Sequence, residues 1–369
     1  MDIKTLWKKI RRGVKYPLLV LLIKGFIFII RLFPRWFNLK LYRRVALLIY
    51  RLAPKMRSKM LKNIRLAYGD TLSNDEMEGI AKGCFVNQAW HFTDYVHTLK
   101  YTQREQFAKL IDFVGEEHLQ REYAKGNGVI CLFNHCGPWE LAVILPPVMG
   151  YETLAVSRAL PNPRINNIIV GYRQSRGMKN ISRDGNAYPK LIEAIRRGEV
   201  VIIMIDQDTH VKGCYIEFFG RTAFTPIGAA RLALDTQASV IPVHLIRQPD
   251  NRYEFRMYPA IETTRTGNLD NDLRTNTIKY TAAMERFVRE APEQWVWMHD
   301  RWHTTPEIEQ QWLAHRQAEK AAEAQRQAEL QARPQRRERI CRCKCLKGWF
   351  QPNAPSPQAQ HPQSPCPTR

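Results

Sequence analysis

The residues best equipped to do chemistry lie together at Asn134-His135-Cys136-Gly137-Pro138-Trp139-Glu140. Imidazole is the side chain suited to take a proton near neutral pH. A carboxylate that holds the ring fixes its tautomer and stabilises the imidazolium that forms. His135 is therefore the candidate general base, and Glu140 the candidate group to orient it. Their setting agrees. The apolar run Gly128-Val129-Ile130-Cys131-Leu132-Phe133 reads as a buried strand. Gly137 and Pro138 break it, and a helical pattern begins at Trp139. The histidine falls in a turn and the carboxylate in the first turn of the next helix. Alone, a motif this short fits a loop histidine with no chemical task as readily as a base.

The surrounding elements predict an α/β fold: a mixed, largely parallel sheet flanked by helices. Strand candidates are 128–133, 153–156, 200–205, 239–245 and 253–258. Helical patterns cover 139–149, 163–177, 186–198, 226–236 and 270–290, after a helical region ending near Gln120. In such sheets ligands sit beyond the strand C-termini. His135 follows one strand and Asp206-Gln207-Asp208 another, so they can share one mouth. Asp206 and Asp208 are candidates to position an acceptor, and a turn-forming role stays open for both. Arg158 and Arg183 are candidates to hold a phosphate or a developing oxyanion, which guanidinium suits. Thr225-Pro226 reads as a helix N-cap followed by proline at the first helical position.

The chain carries 56 Lys and Arg against 35 Asp and Glu, a net charge of +21. Such a balance selects acidic partners: anionic lipid, a phosphorylated glycolipid or an acidic protein. No zinc-finger spacing, helix-turn-helix or RNA-binding aromatic pattern is present, so nucleic acid is not expected. Cys84, Cys131, Cys136 and Cys214 read as free thiols in a reducing compartment. Residues 1–40 read as a membrane anchor. Lys8, Lys9, Arg11, Arg12 and Lys15 precede an apolar segment from Tyr16 to Phe33, interrupted by Lys24 and Arg31. A span needs about 20 mostly apolar residues, so a tilted span and a helix lying in the interface both stand. Residues 41–306 form the main domain. In 307–369 a polar helix precedes a basic tail with Cys341, Cys343 and Cys345 and a Pro-rich, disordered end; the three cysteines lack a zinc-like spacing.

The His-x4-Glu motif and several further blocks resemble the late acyltransferases of lipid A biosynthesis, which add secondary acyl chains. The blocks are Val156-Ser157-Arg158 with Asn162-Pro163, Ile181-Ser182-Arg183-Asp184, Asp206-Gln207-Asp208, Phe218-Phe219-Gly220 and Ala223-Phe224-Thr225. Ala291-Pro292-Glu293-Gln294-Trp295, running on to Trp297, His299 and Arg301-Trp302, completes the set. Asp300 stands where the family often has a second basic residue. The resemblance covers residues 5 to 306 and implies a glycerolipid-acyltransferase-like fold. It implies direct transfer of a fatty acyl chain from an acyl carrier protein (or coenzyme A) thioester to a hydroxyl of a lipid A precursor. His135 is then the base and Glu140 its orienting partner. Cys136 is structural, and neither metal nor organic cofactor is required. The implied location is the cytoplasmic side of the bacterial inner membrane, among anionic lipids.

Overall fold

The computed structural model describes residues 3–183 and 186–344, with side chains from Pro17 onward except Leu18, Lys320 and those beyond Glu329. Asp184, Cys345 and the Pro-rich tail lie outside the described residues, as do the side chains of Cys341 and Cys343. The chain divides into one unit ending at Pro306 and a second from Glu307. The described residues of the second unit, taken by themselves, are helical.

Five helices open the chain: α1 (Ile3–Leu32), α2 (Arg35–Leu52), α3 (Pro54–Tyr68), α4 (Asn74–His97) and α5 (Arg104–Ala108). There follow β1 (Ile111–Val114), α6 (Glu116–Tyr123), β2 (Val129–Phe133), α7 (Trp139–Ala142), α8 (Leu145–Val148), β3 (Thr153–Ser157), α9 (Pro163–Gln174), β4 (Met178–Ser182), α10 (Ala187–Arg196) and β5 (Val200–Met204). The hairpin β6 (Gly213–Phe218) and β7 (Arg221–Pro226) precedes α11 (Gly228–Asp235), β8 (Ser239–Arg247), β9 (Tyr253–Met257), α12 (Leu269–Glu290) and α13 (Pro306–Lys344). The expected sheet is present. Seven strands run in the order β1-β9-β8-β2-β5-β3-β4. All neighbours pair parallel except β8 with β9.

The central strand β2 is buried at all five positions. An unbroken apolar run is what a parallel strand covered on both faces requires. Alternation sends Val129, Cys131 and Phe133 into one hydrophobic cluster, and Ile130 and Leu132 into the other. The two edge strands, β1 and β4, escaped the sequence reading. Each carries polar residues on a short run (Asp112; Lys179, Asn180 and Ser182), so neither shows the apolar pattern of the interior strands.

Two expectations need correction. Thr225 and Pro226 do not open a helix. They end β7, where Thr225 pairs with Cys214 across the hairpin, and α11 starts two residues later without a side-chain cap. Nor does the spanning alternative for the N-terminal segment find support: no helix of the described residues is long and apolar enough to cross a membrane. The physical reason is visible in α1, whose apolar stretch is broken by Lys24, Arg31 and, at Pro17, by proline. Instead α1 and α2 lie against the domain. On α2, Leu39, Ala46 and Tyr50 are buried. Arg35 at its start donates to buried Asp94 of α4 at 2.5 Å, and Asp94 also accepts from Arg247 of β8 and Tyr253 of β9, each at 2.6 Å. Burial alone would raise the Asp94 pKa, but the two guanidinium groups and the tyrosine hydroxyl hold it below its ordinary value.

Candidate active site

The turn after β2 is forced by Gly137. Its φ is +67°, and a Cβ there would sit 1.8 Å from the carbonyl oxygen of Leu245. Only glycine lets the chain leave the sheet so close to β8. Pro138 then precedes α7, and Cys136 bridges to Trp295 in the C-terminal segment. His135 is thus held between the sheet end and that segment, its side chain 20% exposed.

The partner of the imidazole is Asp206, not Glu140. His135 Nδ1 lies 2.8 Å from Asp206 Oδ1, while the His135 backbone N–H donates to Oδ2 at 2.7 Å. The Trp295 indole N–H donates to the same Oδ2 at 2.8 Å. Register explains the pairing. Strands β2 and β5 run parallel with Phe133 opposite Met204, so two residues further on His135 stands opposite Asp206. Asp206 is fully buried. Burial would raise its pKa, but His135 and the three hydrogen bonds outweigh that and hold it below the ordinary value. An ionised Asp206 fixes the proton on Nδ1 and leaves Nε2 free to accept one.

Glu140 faces elsewhere. Arg173 of α9 donates to it in a fork, Nη2 to Oε1 at 2.7 Å and Nε to Oε2 at 3.2 Å. Arg173 Nη1 also donates to Asn180 Oδ1 at 2.9 Å, which accepts from Ser157 Oγ at 3.1 Å. The bidentate geometry satisfies the carboxylate, so Glu140 braces α7, α9, β3 and β4 together rather than orienting His135.

Asp208 also has structural partners. Its backbone N–H donates to His299 Nε2 at 2.9 Å, and its carboxylate accepts from the backbone and hydroxyl of Thr304, both at 2.7 Å. Arg301, fully buried, donates to the Phe224 carbonyl and to Thr225 Oγ1. Burial pulls its pKa down to about 10, against the pull of Asp206 and Asp208. Arg158 and Arg183 are exposed. They follow Ser157 and Ser182, which are paired at the ends of β3 and β4, so both arginines lie beyond the same C-terminal end of the sheet as His135. Cys136 is buried, its Sγ 3.6 Å from the Ala291 carbonyl, and burial pushes the thiol pKa well up. Such a thiol carries little nucleophilic thiolate. The sequence reading missed Arg173, Asn180 and the indole of Trp295. Nothing local marks Arg173, which stands 33 residues beyond Glu140.

A sequence profile of the bacterial lipid A biosynthesis acyltransferases matches residues 8–304. The chain belongs to this family. Among individual relatives, a phosphatidylinositol mannoside acyltransferase of Mycobacterium tuberculosis is 30% identical over 175 residues, 46% of this chain and 55% of that protein. The chain thus spans about half the length of its mycobacterial relatives. A lipid A biosynthesis acyltransferase of Haemophilus influenzae is 23% identical over 261 residues, 70% of this chain and 79% of that one. A lipid A biosynthesis lauroyltransferase of Escherichia coli is 24% identical over 268 residues, covering 69% and 81%. The family match takes in every candidate site residue and stops before the polar helix α13.

Proposed function

We propose that the protein is an O-acyltransferase that moves a fatty acyl chain from a thioester to a hydroxyl of a lipid A precursor at the cytoplasmic face of the inner membrane. The observation that carries this reading is the bond from His135 Nδ1 to buried Asp206, which leaves Nε2 available as a base. In the proposed reaction the acceptor oxygen attacks the thioester carbonyl as its proton passes to Nε2. Asp206 offsets the imidazolium charge. The tetrahedral intermediate collapses, the C–S bond breaks, and the leaving thiolate takes the proton back from His135. An ester and a free thiol result, with no net oxidation and no metal. Arg158 and Arg183 hold phosphate or the oxyanion in this scheme, while the Glu140–Arg173–Asn180–Ser157 chain keeps the wall that carries Arg158 in place. The strong positive charge fits an acidic acyl carrier protein as donor, with coenzyme A as the alternative.

One observation favours a second acceptor. The mycobacterial relative, named for phosphatidylinositol mannoside, is more similar over its aligned part than the lipid A enzymes are. A mannosylated or otherwise glycosylated phospholipid is therefore the second reading, with the same chemistry at His135. Purified full-length protein offered carrier and coenzyme A thioesters, with a lipid A precursor, a phosphatidylinositol mannoside or a lysophospholipid as acceptor, separates the readings. Mass spectrometry of lipids from a deletion strain, with and without the gene restored, identifies the acceptor in the cell. Lipids unchanged by deletion, with no transfer in vitro, would overturn both.

A further inference from the structure

Helix α2 has two unlike faces. Leu39, Ala46 and Tyr50 are buried against the domain, and α2 packs on α4. On the opposite side Leu41, Val45, Leu48 and Leu52 recur at helical spacing and are exposed, Leu48 at 53% and Leu52 at 72%. Arg44 and Arg51, also exposed, run along one edge of this stripe. Helix α1 repeats the arrangement: Ile30 is buried, while Leu21, Phe28 and Leu32 face outward beside Lys24 and Arg31. Rings knit the two helices into one surface. Phe26 of α1 stacks on Phe92 of α4, which is itself 41% exposed, and meets Tyr42 of α2 edge-on. The surface does not stop there. α1 also packs on α9, where Leu160, just before the helix, and Ile168 within it are exposed. Leu160 lies two residues from Arg158, at the end of the sheet that carries the site.

Soluble surfaces rarely expose apolar side chains in a patch this extensive. What covers it must accept both oil and positive charge. An isologous contact with a second copy that laid the two α2 stripes antiparallel would bring the Arg44 and Arg51 rows of both copies together, with like charges opposed. A bilayer with anionic headgroups answers both demands: apolar side chains enter the acyl boundary and the edge cations stay among the headgroups.

We propose that the outward faces of α1 and α2 form an in-plane docking surface for an anionic bilayer, continued by Leu160 and Ile168 to the mouth of the site. A lipid acceptor then reaches His135 by lateral movement, without leaving the membrane. This rests on the acyltransferase reading only in taking the acceptor to be a lipid; vesicle binding tests it without turnover.

The test is flotation of full-length protein with vesicles of phosphatidylcholine alone or with about one third phosphatidylglycerol. Two variants, Leu48→Glu/Leu52→Glu and Arg44→Glu/Arg51→Glu, alter exposed positions outside the catalytic groups. The native protein should float with anionic vesicles and much less with neutral ones. Each variant should lose at least tenfold in affinity while keeping native circular dichroism and native transfer to a water-soluble, short-chain acceptor. Transfer to acceptor embedded in vesicles should fall with binding. Three results would overturn the proposal: undiminished vesicle binding by both variants; resistance of the native protein to alkaline carbonate extraction, which marks a span; or a self-associating native protein made monomeric by Leu48→Glu/Leu52→Glu, which marks a self-interface. Loss of soluble-acceptor transfer by the native protein would instead strike the acyltransferase reading.

Discussion

Replacing Asp206 by asparagine changes one atom at the centre of the site, and the geometry dictates how the protein responds. Oδ2 accepts two fixed donors, the His135 backbone N–H and the Trp295 indole N–H, while Oδ1 accepts only the imidazole. The asparagine amide has one oxygen to give. Turned toward Nδ1, its oxygen abandons two buried donors, each unmade bond costing about 1–3 kcal/mol. Turned toward the two fixed donors, it places its NH₂ against Nδ1. That conflict is relieved if the ring moves its proton to Nε2. The second orientation is the less costly, so the variant should fold with the imidazole in the wrong tautomer. Nε2 then carries a proton and is no longer a base, and no carboxylate remains to stabilise an imidazolium. General base catalysis is worth about 10²–10⁴ in rate, and the corresponding replacement in a serine protease costs about 10⁴ in turnover. We therefore expect Asp206→Asn to lower kcat by 10²–10⁴ (roughly 3–5 kcal/mol at about 1.4 kcal/mol per decade), with KM for the acceptor nearly unchanged. The assay is steady-state transfer of labelled acyl chain from a thioester, with thermal melting to confirm folding. Because both residues act as one unit, the Asp206→Asn/His135→Ala double variant should be no worse than His135→Ala alone. A folded Asp206→Asn enzyme with turnover within threefold of native would refute the tautomer argument, and multiplicative losses in the double variant would refute the dyad.

The remaining expectations concern neighbouring residues. His135→Ala should cut turnover by about 10²–10⁴ and also lower the melting temperature, since buried Asp206 loses the imidazole that its Oδ1 bonds; a near-native rate in the folded variant would move the base elsewhere. Cys136→Ala should keep most activity, and mass spectrometry after incubation with donor alone should find no acylated Cys136; a trapped thioester there would sink direct transfer. Gly137→Ala should destabilise by more than the ~1–2 kcal/mol of a left-handed backbone, because its Cβ meets the Leu245 carbonyl; a melting temperature unchanged by it would contradict the packing described. The depressed pKa of Asp206 means its charge stabilises the fold above the unfolded carboxylate value of about 3.9 and ceases to do so as pH falls through its lower folded value. The stability gap between native and Asp206→Asn protein, from urea midpoints, should accordingly be full near neutrality and shrink below about pH 4.

The interior of the fold was legible because its physics is local. Strands covered on both faces must be largely apolar; β2 and β5 declare themselves by that alone, and β3 and β8 do so with a few polar residues admitted. The edge strands β1 and β4 satisfy only one neighbour each and carry polar residues that read as loop. The hairpin β6–β7 was missed for a different reason: Thr225-Pro226 imitates a helix start, and only pairing with Gly213 and Cys214 shows that it ends a strand. The N-terminal segment showed both its oil and its charge, but not their distribution between a face turned to the domain and a face turned away.

The site shows the same division between what spacing along the chain can reveal and what register decides. Glu140 drew attention because it is five residues from His135 and starts a helix, yet those five residues turn it toward α9, where Arg173 takes it. Asp206 is 71 residues from His135 and is its bonded partner, because two parallel strands with matched ends deliver their second loop residues side by side. The sequence reading had the ingredients: both strands, both loops and a shared mouth. What it lacked was the strand order, which makes β2 and β5 neighbours and so decides which carboxylate of three reaches the imidazole. The same order explains Asp208. Two residues beyond Asp206 the chain has left the sheet, and its carboxylate closes on Thr304 while its amide holds His299. The C-terminal segment is thereby fastened over the site at Asp206 through Trp295 and at Asp208 through His299 and Thr304. One acidic pair on one loop thus orients the imidazole and secures the segment that buries it.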